Sequence, residues 1–350
     1  MIFSSELRHN YFTLFANCKI VKGIARSIIY DLQLHTFDFI TNDMYDLINC
    51  FSGKQIEACY KYYHQDDHEI INEYFTFLLE NNYILLAATL EESKCFPELD
   101  LSYNIPSTIS NAIIDLDDKS FATCGMLAYE RLISDLESLQ CFNIQVRAFN
   151  LETLNDLNLF FQLFESRDFS IELILNSQQY WNAEDYKNFY FKFSSLQKMI
   201  IYDSYLQKTE VALADFPNIS FTSEMMTDTN HCGNIHPSFF SVSLDVYLEA
   251  LSFNSCLNKK VGIDATGEIK NCPSLNNSYG NIIAKSIKEV VFAEEFQSVG
   301  LIKKDLISVC NICEFRYMCT DCRAFVTNPY DKPFKCEYDP NTMTWNDVLL

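Results

Sequence analysis

No stretch of this chain is long and apolar enough to suggest a membrane span, which needs roughly 20 consecutive apolar residues. The opening residues, Met1-Ile-Phe-Ser-Ser-Glu-Leu-Arg-His9, lack the basic-then-apolar order of a secretory signal. The expected location is therefore the cytoplasm, where thiols stay reduced. Basic residues are scarce: 26 Lys and Arg stand against 47 Asp and Glu, for a formal net charge of −21. A surface so acidic repels phosphate backbones, and no basic patch is interleaved with aromatics. Neither nucleic acid nor a membrane is expected as a partner. There is no G-x4-G-K-[ST] loop, G-x-G-x-x-G turn or G-x-S-x-G elbow, so nucleotide binding and triad hydrolysis lack sequence support.

What is abundant is cysteine, and it is clustered. Seven of the fourteen cysteines follow residue 250. Cys310, Cys313, Cys319 and Cys322 stand at C-x2-C-x5-C-x2-C spacing, with Cys336 fourteen residues later and Cys256 and Cys272 upstream. Two thiolates separated by two residues can reach one metal from a single tight turn, and paired steps supply all-sulfur coordination. Spacing alone does not separate iron–sulfur from zinc. Disulfides are not expected in a reducing compartment.

The 350 residues, 48% hydrophobic and 15% aromatic, suffice for two or three cores. Residues 1–95 read as a small unit of their own. Phe15–Val21 and Ala25–Asp31 are β-rich runs around Lys22-Gly23, a hairpin signal. Thr41 stands as an N-cap before the helical run Met44, Leu47, Ile48, Phe51. Ile70, Ile71, Tyr74, Phe75, Leu78 and Leu79 follow helical spacing, and a strand ends near Ala87. In outline this winged-helix-like order resembles the leader-peptide recognition domains of the PqqD type; a plain structural cap is the alternative.

Pro97 and Pro106 mark a linker. From 107 to 230, strands at Ala112–Leu116, Ile144–Phe149, Ile171–Leu175, Lys198–Tyr202 and Asn218–Thr222 alternate with helices marked by Leu132, Leu136 and Leu139, by Leu157, Phe160, Phe161 and Phe164, and by the polar stretch 183–193. Such alternation predicts a parallel sheet or a partial barrel, too few units for eight-fold closure.

A partial α/β barrel followed by a cysteine-rich tail resembles radical SAM enzymes that carry a SPASM domain. The tail has Cys256, ten residues, Gly267, four residues, Cys272, then the quartet and Cys336. One departure is the two residues, where the family usually has three, between Cys319 and Cys322. Asn254–Asp264, Ile269–Ser274 and Cys313–Phe325 look like the SPASM protein of grasp-with-spasm systems, which pair it with an ATP-grasp ligase and a short precursor peptide. The resemblance implies an α/β fold in three parts: a winged-helix-like domain (1–95), a partial radical-SAM-like barrel (107–230) and a SPASM domain (231–350). It also implies two 4Fe-4S clusters, one on Cys256, Cys272 and Cys322, the other on Cys310, Cys313, Cys319 and Cys336. The first set is one ligand short; Cys232 is the candidate for the vacancy, with His231 or His236 behind it.

The radical chemistry of that family needs C-x3-C-x2-C after the first barrel strand, and the chain has no such motif. Asp115–Gly125 stands there with Cys124 alone, and Arg147–Glu152 replaces the Gly-Gly-Glu stretch. S-adenosylmethionine is therefore not expected as a cofactor. The expectation is a maturation factor for a ribosomally made peptide. The alternatives are a redox or radical enzyme using an open auxiliary cluster and a zinc-stabilised interaction module. Asp115, Asp117 and Asp118 read as helix caps, His64 and His68 as a solvated pair, and Arg316 as a packing or cluster-facing cation.

Overall fold

Short periods of alternation in the first 90 residues produce short strands. The computed structural model describes residues 3–151, 154–178, 181–204, 217–226 and 228–346. β1 (Tyr11–Leu14), β2 (Cys18–Lys22), β3 (Ser27–Asp31) and β4 (Thr36–Ile40) come first, then helices Asn42–Phe51, Glu57–Tyr62 and His68–Glu80, then β5 (Ile84–Ala87). β2, β3 and β4 form an antiparallel meander, and β1 pairs antiparallel with β5. The Thr41 hydroxyl accepts the Met44 N–H at 3.1 Å, starting the first helix where the side chain offers the cap. Met44, Leu47, Ile48 and Phe51 then share one buried face with Phe12 and Phe75.

The second part is a mostly parallel sheet. β6 (Asn111–Leu116), β7 (Asn143–Ala148), β8 (Ser170–Asn176), β9 (Leu196–Tyr202) and β10 (Ile219–Phe221) pair in succession, each parallel to the one before. Two further strands extend the other edge: β11 (Lys260–Ile263) runs parallel to β6, and β12 (Ile269–Lys270) turns back on β11. Among the described residues the order is β10-β9-β8-β7-β6-β11-β12. The sheet thus takes strands from both sides of residue 231.

Side-chain alternation divides this sheet into two unlike faces. Ala112, Ile114, Val146, Leu173, Met199, Ile201 and Val261 pack with the helices in one continuous apolar core. The opposite residues run in register across the strands as Gly262, Ile113, Gln145, Glu172 and Lys198. Gln145 donates to Glu172 at 2.6 Å, and Lys198 pairs with Glu172 at 2.8 Å. Parallel sheets are usually covered by helices on both faces. Here one face is polar and lines a cavity of about 510 Å³.

The meander has a second partner. Ile29 faces its own helices, while Val21, Ile28, Tyr30 and Leu32 pack on Phe315, Met318, Cys319 and Tyr338. β3 is buried along its whole length because it lies between these two cores. A hairpin of β13 (Tyr338–Asp339) and β14 (Thr344–Trp345) closes the far side, its two rings 4.9 Å apart.

Candidate metal centre

The C-terminal thiols fall into two neighbourhoods. In the first, a short turn at Cys310–Ile312 carries the Cys313 N–H to the Cys310 carbonyl at 3.1 Å, and Cys319 N–H reaches the Phe315 carbonyl at 3.1 Å. Cys319 is buried in one apolar cluster against which Cys313 and Cys336 pack. Cys336 joins from a separate segment, tied by a parallel bridge to Ile235. The electrostatic environment shows the proximity: Cys310 and Cys336 both act on Cys319, and Cys310 and Cys319 both act on Cys313. Burial pushes Cys310 and Cys319 up to about 12. Cys313 and Cys336 are raised for the same reason. Without a metal these are neutral thiols; a metal would have to displace their protons.

In the second, four segments converge. Cys232, Cys256, Cys272 and Cys322 line one cavity of about 560 Å³, together with Glu172 and Arg323. Asn254 accepts the N–H groups of Cys256 (3.0 Å) and Leu257 (2.9 Å), shaping the turn that presents Cys256. Cys272 follows β12, and Lys260 on β11 places its ammonium 3.8 Å from Cys256 Sγ. Burial pushes Cys272 up to about 11 and Cys322 up to about 12. Lys335 holds the Cys232 segment by donating to the carbonyls of Cys232 (2.9 Å) and Asn230. Gly233 lies against Cys322: a Cβ there would sit 2.6 Å from its Sγ, and φ is +84°. Only glycine allows that approach.

His231 lines this cavity, whereas His236 bonds its own Ser238 at 2.8 Å. Among the described residues no three His, Cys, Asp or Glu side chains already converge at metal-ligand distances. The residues nevertheless fit a thiolate-held group. Each neighbourhood supplies four thiols, the second encloses a cavity, and a glycine makes room beside one of its sulfurs. All fourteen cysteines are free of disulfides.

Alkylation can read this arrangement. Cys50 and Cys95 are exposed, so iodoacetamide should label them in every state. The half-buried Cys232 and Cys256 should be labelled in metal-free protein and protected when metal is bound, whereas Cys313, Cys322 and Cys336, raised by burial, should react slowly in both states. Peptide mapping by mass spectrometry checks this; equal labelling of Cys232 and Cys256 in both states would remove them as ligands.

The strand ends hold a different arrangement. Arg147 grips Asp115 through two parallel bonds, Nε to Oδ1 at 2.6 Å and Nη2 to Oδ2 at 2.7 Å, and both residues are buried. Asp117 accepts from Lys119 N–H and Ser120 Oγ–H, which is local turn chemistry. Cys124 is buried against Gly267. His64 accepts from Asp66 N–H, and His68 bonds the Tyr60 carbonyl at 3.0 Å, so the two serve local structure. Arg316 donates to the carbonyls of Lys22 (2.7 Å) and Cys313 (2.9 Å), tying the N-terminal hairpin to the quartet.

No protein-family model matches this chain, and no curated protein matches it either. Among solved structures it is similar to SuiB of Streptococcus suis at 12% identity and a TM-score of 0.41, covering 93% of this chain and 99% of that one. The same protein bound to S-adenosylmethionine matches with a TM-score of 0.31 over 91% of this chain and 98% of that one, at 12% identity. Bound to its precursor peptide SuiA it gives 0.29 over 92% and 98%, again at 12% identity. At this identity the roles of residues rest on this chain's own chemistry. Among the described residues no helix is long and apolar enough to cross a membrane.

Proposed function

We propose that this chain is a maturation factor for a ribosomally made peptide. It would bind the precursor and act beside an ATP-grasp ligase, with two 4Fe-4S clusters in its C-terminal part. Cys232, Cys256, Cys272 and Cys322 would hold one cluster, and Cys310, Cys313, Cys319 and Cys336 the other. The observation that carries the reading is the cavity where four cysteines from four segments meet, which shares Gln145, Glu172 and Cys232 with the cavity on the polar sheet face. A groove lined by amide, carboxylate and ammonium groups suits an extended peptide, whose backbone offers donors and acceptors along its length. The winged-helix-like unit is the candidate for leader recognition, and the SPASM resemblance supports iron–sulfur over zinc. Iron–sulfur centres supply electron transfer or a fixed scaffold.

No cleavage of S-adenosylmethionine is expected. The strand end that would carry a C-x3-C-x2-C loop bears Cys124 alone, and the neighbouring position on β7 is committed to the Asp115–Arg147 pair.

Anaerobic purification with iron and sulfide analysis tests the metal part. Two four-iron clusters should give about eight irons per chain and broad absorbance near ~400 nm. A colourless protein with zinc would replace this reading by the zinc-stabilised module. Pull-down with the precursor peptide, with and without the ligase, tests the partner; no capture in either case would overturn the maturation role.

A further inference from the structure

Between the two thiol neighbourhoods lies a buried charged network. Lys304 and Asp321 are 3% and 0% exposed, and Asn254 and Arg323 are 0% and 4% exposed. Lys304 Nζ donates to the Cys319 carbonyl at 2.7 Å, on the quartet side. The same ammonium stands 3.9 Å from Asp321 Oδ2. That oxygen accepts from Asn254 Nδ2 at 2.9 Å, and Asn254 Oδ1 accepts the N–H of Cys256, on the cavity side. A continuous polar path therefore runs from one group of cysteines to the other. Arg323 approaches Asp321 Oδ1 to 2.9 Å as an ion pair too bent for a hydrogen bond, while its Nη2 has no partner among the described residues. Its Nη1 is spent on the carbonyls of Pro329 (3.1 Å) and Asp331 (2.6 Å).

The charges do not cancel within the network. Two cations share one carboxylate, and a buried unpaired charge is costly unless something of opposite sign compensates it. A centre held by four thiolates carries net negative charge. Such a centre on either side would complete the balance: Lys304 stands by Cys310 and Cys319, and Arg323 acts on Cys310 as well while lining the cavity of Cys322. Asp321 lies between the two ligand positions Cys319 and Cys322 in the chain and touches both cations.

We infer that Lys304, Asp321, Arg323 and Asn254 form an electrostatic bridge that couples the two metal centres, with Lys304 tuning the quartet centre and Asp321 tuning both. The inference rests on the cluster reading above. Groups outside the ligand set set the potential of such centres through charge and hydrogen bonding.

Potentiometric titration followed by EPR, on anaerobically purified full-length wild type, Lys304→Met, Lys304→Arg and Asp321→Asn, tests it. A Cys272→Ser variant assigns the signals. Lys304→Met should lower the midpoint of the quartet cluster and leave the other in place, because removing a cation disfavours the added electron. Lys304→Arg should restore the wild-type value. Asp321→Asn should raise both midpoints, and should that variant fail to fold, Asn254→Asp should lower both. Movement of neither cluster or of only one in the Asp321 or Asn254 variant overturns the bridge, as does Lys304→Arg behaving like Lys304→Met. Wild-type protein without iron would overturn the cluster reading and the bridge together. Full iron with unmoved midpoints overturns the bridge alone.

Discussion

Replacing Cys310 and Cys319 together with serine should remove about half of the bound metal and also loosen the N-terminal unit, far away in sequence. Serine keeps the volume of each side chain but offers a poor ligand, so the quartet centre should be lost while the Cys256 group keeps its own metal. The remote effect follows from the shared core. Val21, Ile28, Tyr30 and Leu32 of the meander have Phe315, Met318, Cys319 and Tyr338 as their partners, and these lie within or beside the quartet. The polar contacts run the same way. Ile24 N–H reaches the Ile312 carbonyl at 2.9 Å, Arg26 Nε reaches Glu314 Oε1 at 2.8 Å, and the Tyr30 hydroxyl donates to the Glu314 carbonyl at 3.2 Å. Glu314 is fully buried, so a shift of this loop leaves its carboxylate without a cation. Binding energy at a structural metal site is folding energy, and losing a few kcal/mol of it should lower Tm by roughly 5 °C in a chain of this size. Metal analysis, a melting curve and limited proteolysis check the three parts. Full metal content, or unchanged protection of the meander, would separate the quartet from the N-terminal unit and defeat the argument.

The elements that could be read from sequence are those whose pattern is local. Thr41 before Met44, Leu47, Ile48 and Phe51 specifies a capped amphipathic helix, and the structure has it at Asn42–Phe51. The alternating runs of the central region became β6 to β10 for the same reason. β1 is four residues long, too short for a period to show. β11 escaped notice because Lys260-Val-Gly-Ile263 mixes a cation and a glycine into a strand, and it is its pairing with β6 that reveals the fit. Gly262 is needed there because Pro273 packs against it, with 2.6 Å from a would-be Cβ to the Pro273 nitrogen.

The donors proposed for the site follow a pattern along the chain; the charges around them do not. Thiol spacing is a property of neighbouring residues, so it indicates which sulfurs can meet. Lys304, Asp321 and Asn254 belong to three separate segments, and nothing local in any of them reports that they touch. The same is true of Arg147. In Ile144-Gln-Val-Arg-Ala148 the period-two pattern shows that Gln145 and Arg147 share a face, but not that Arg147 meets a carboxylate 32 positions earlier.

That pair should give the second large effect. Arg147→Met should destabilise the protein by about 3–5 kcal/mol, because it leaves the Asp115 carboxylate buried with no counter-charge. Lys270, the other cation that favours ionisation of Asp115, is paired with Asp264 at 2.8 Å and offers little relief. Arg147→Lys should lose less, since it keeps the charge but cannot form the two-pronged contact. The double variant Asp115→Leu with Arg147→Met should recover most of the loss, as apolar replacement of a whole buried pair often does. Acidity provides an independent check. Burial already holds the Asp115 carboxyl above its ordinary value despite the pull of Arg147, and without Arg147 it should rise further. A folded-state value above the unfolded one gives stability that is present below the unfolded value and lost as pH rises through the folded one. The deficit of Arg147→Met against wild type should therefore be smallest in acid and grow towards neutral pH. Denaturant midpoints from pH 4 to 8 read it; a deficit independent of pH would mean that the carboxylate is not the destabilised group. If the double variant is stable and still binds the precursor peptide, the strand end is a structural staple. Binding then belongs to the polar sheet face and the N-terminal unit. If it is stable and fails to bind, the charged pair itself takes part in recognition, and the strand end must be returned to the functional surface.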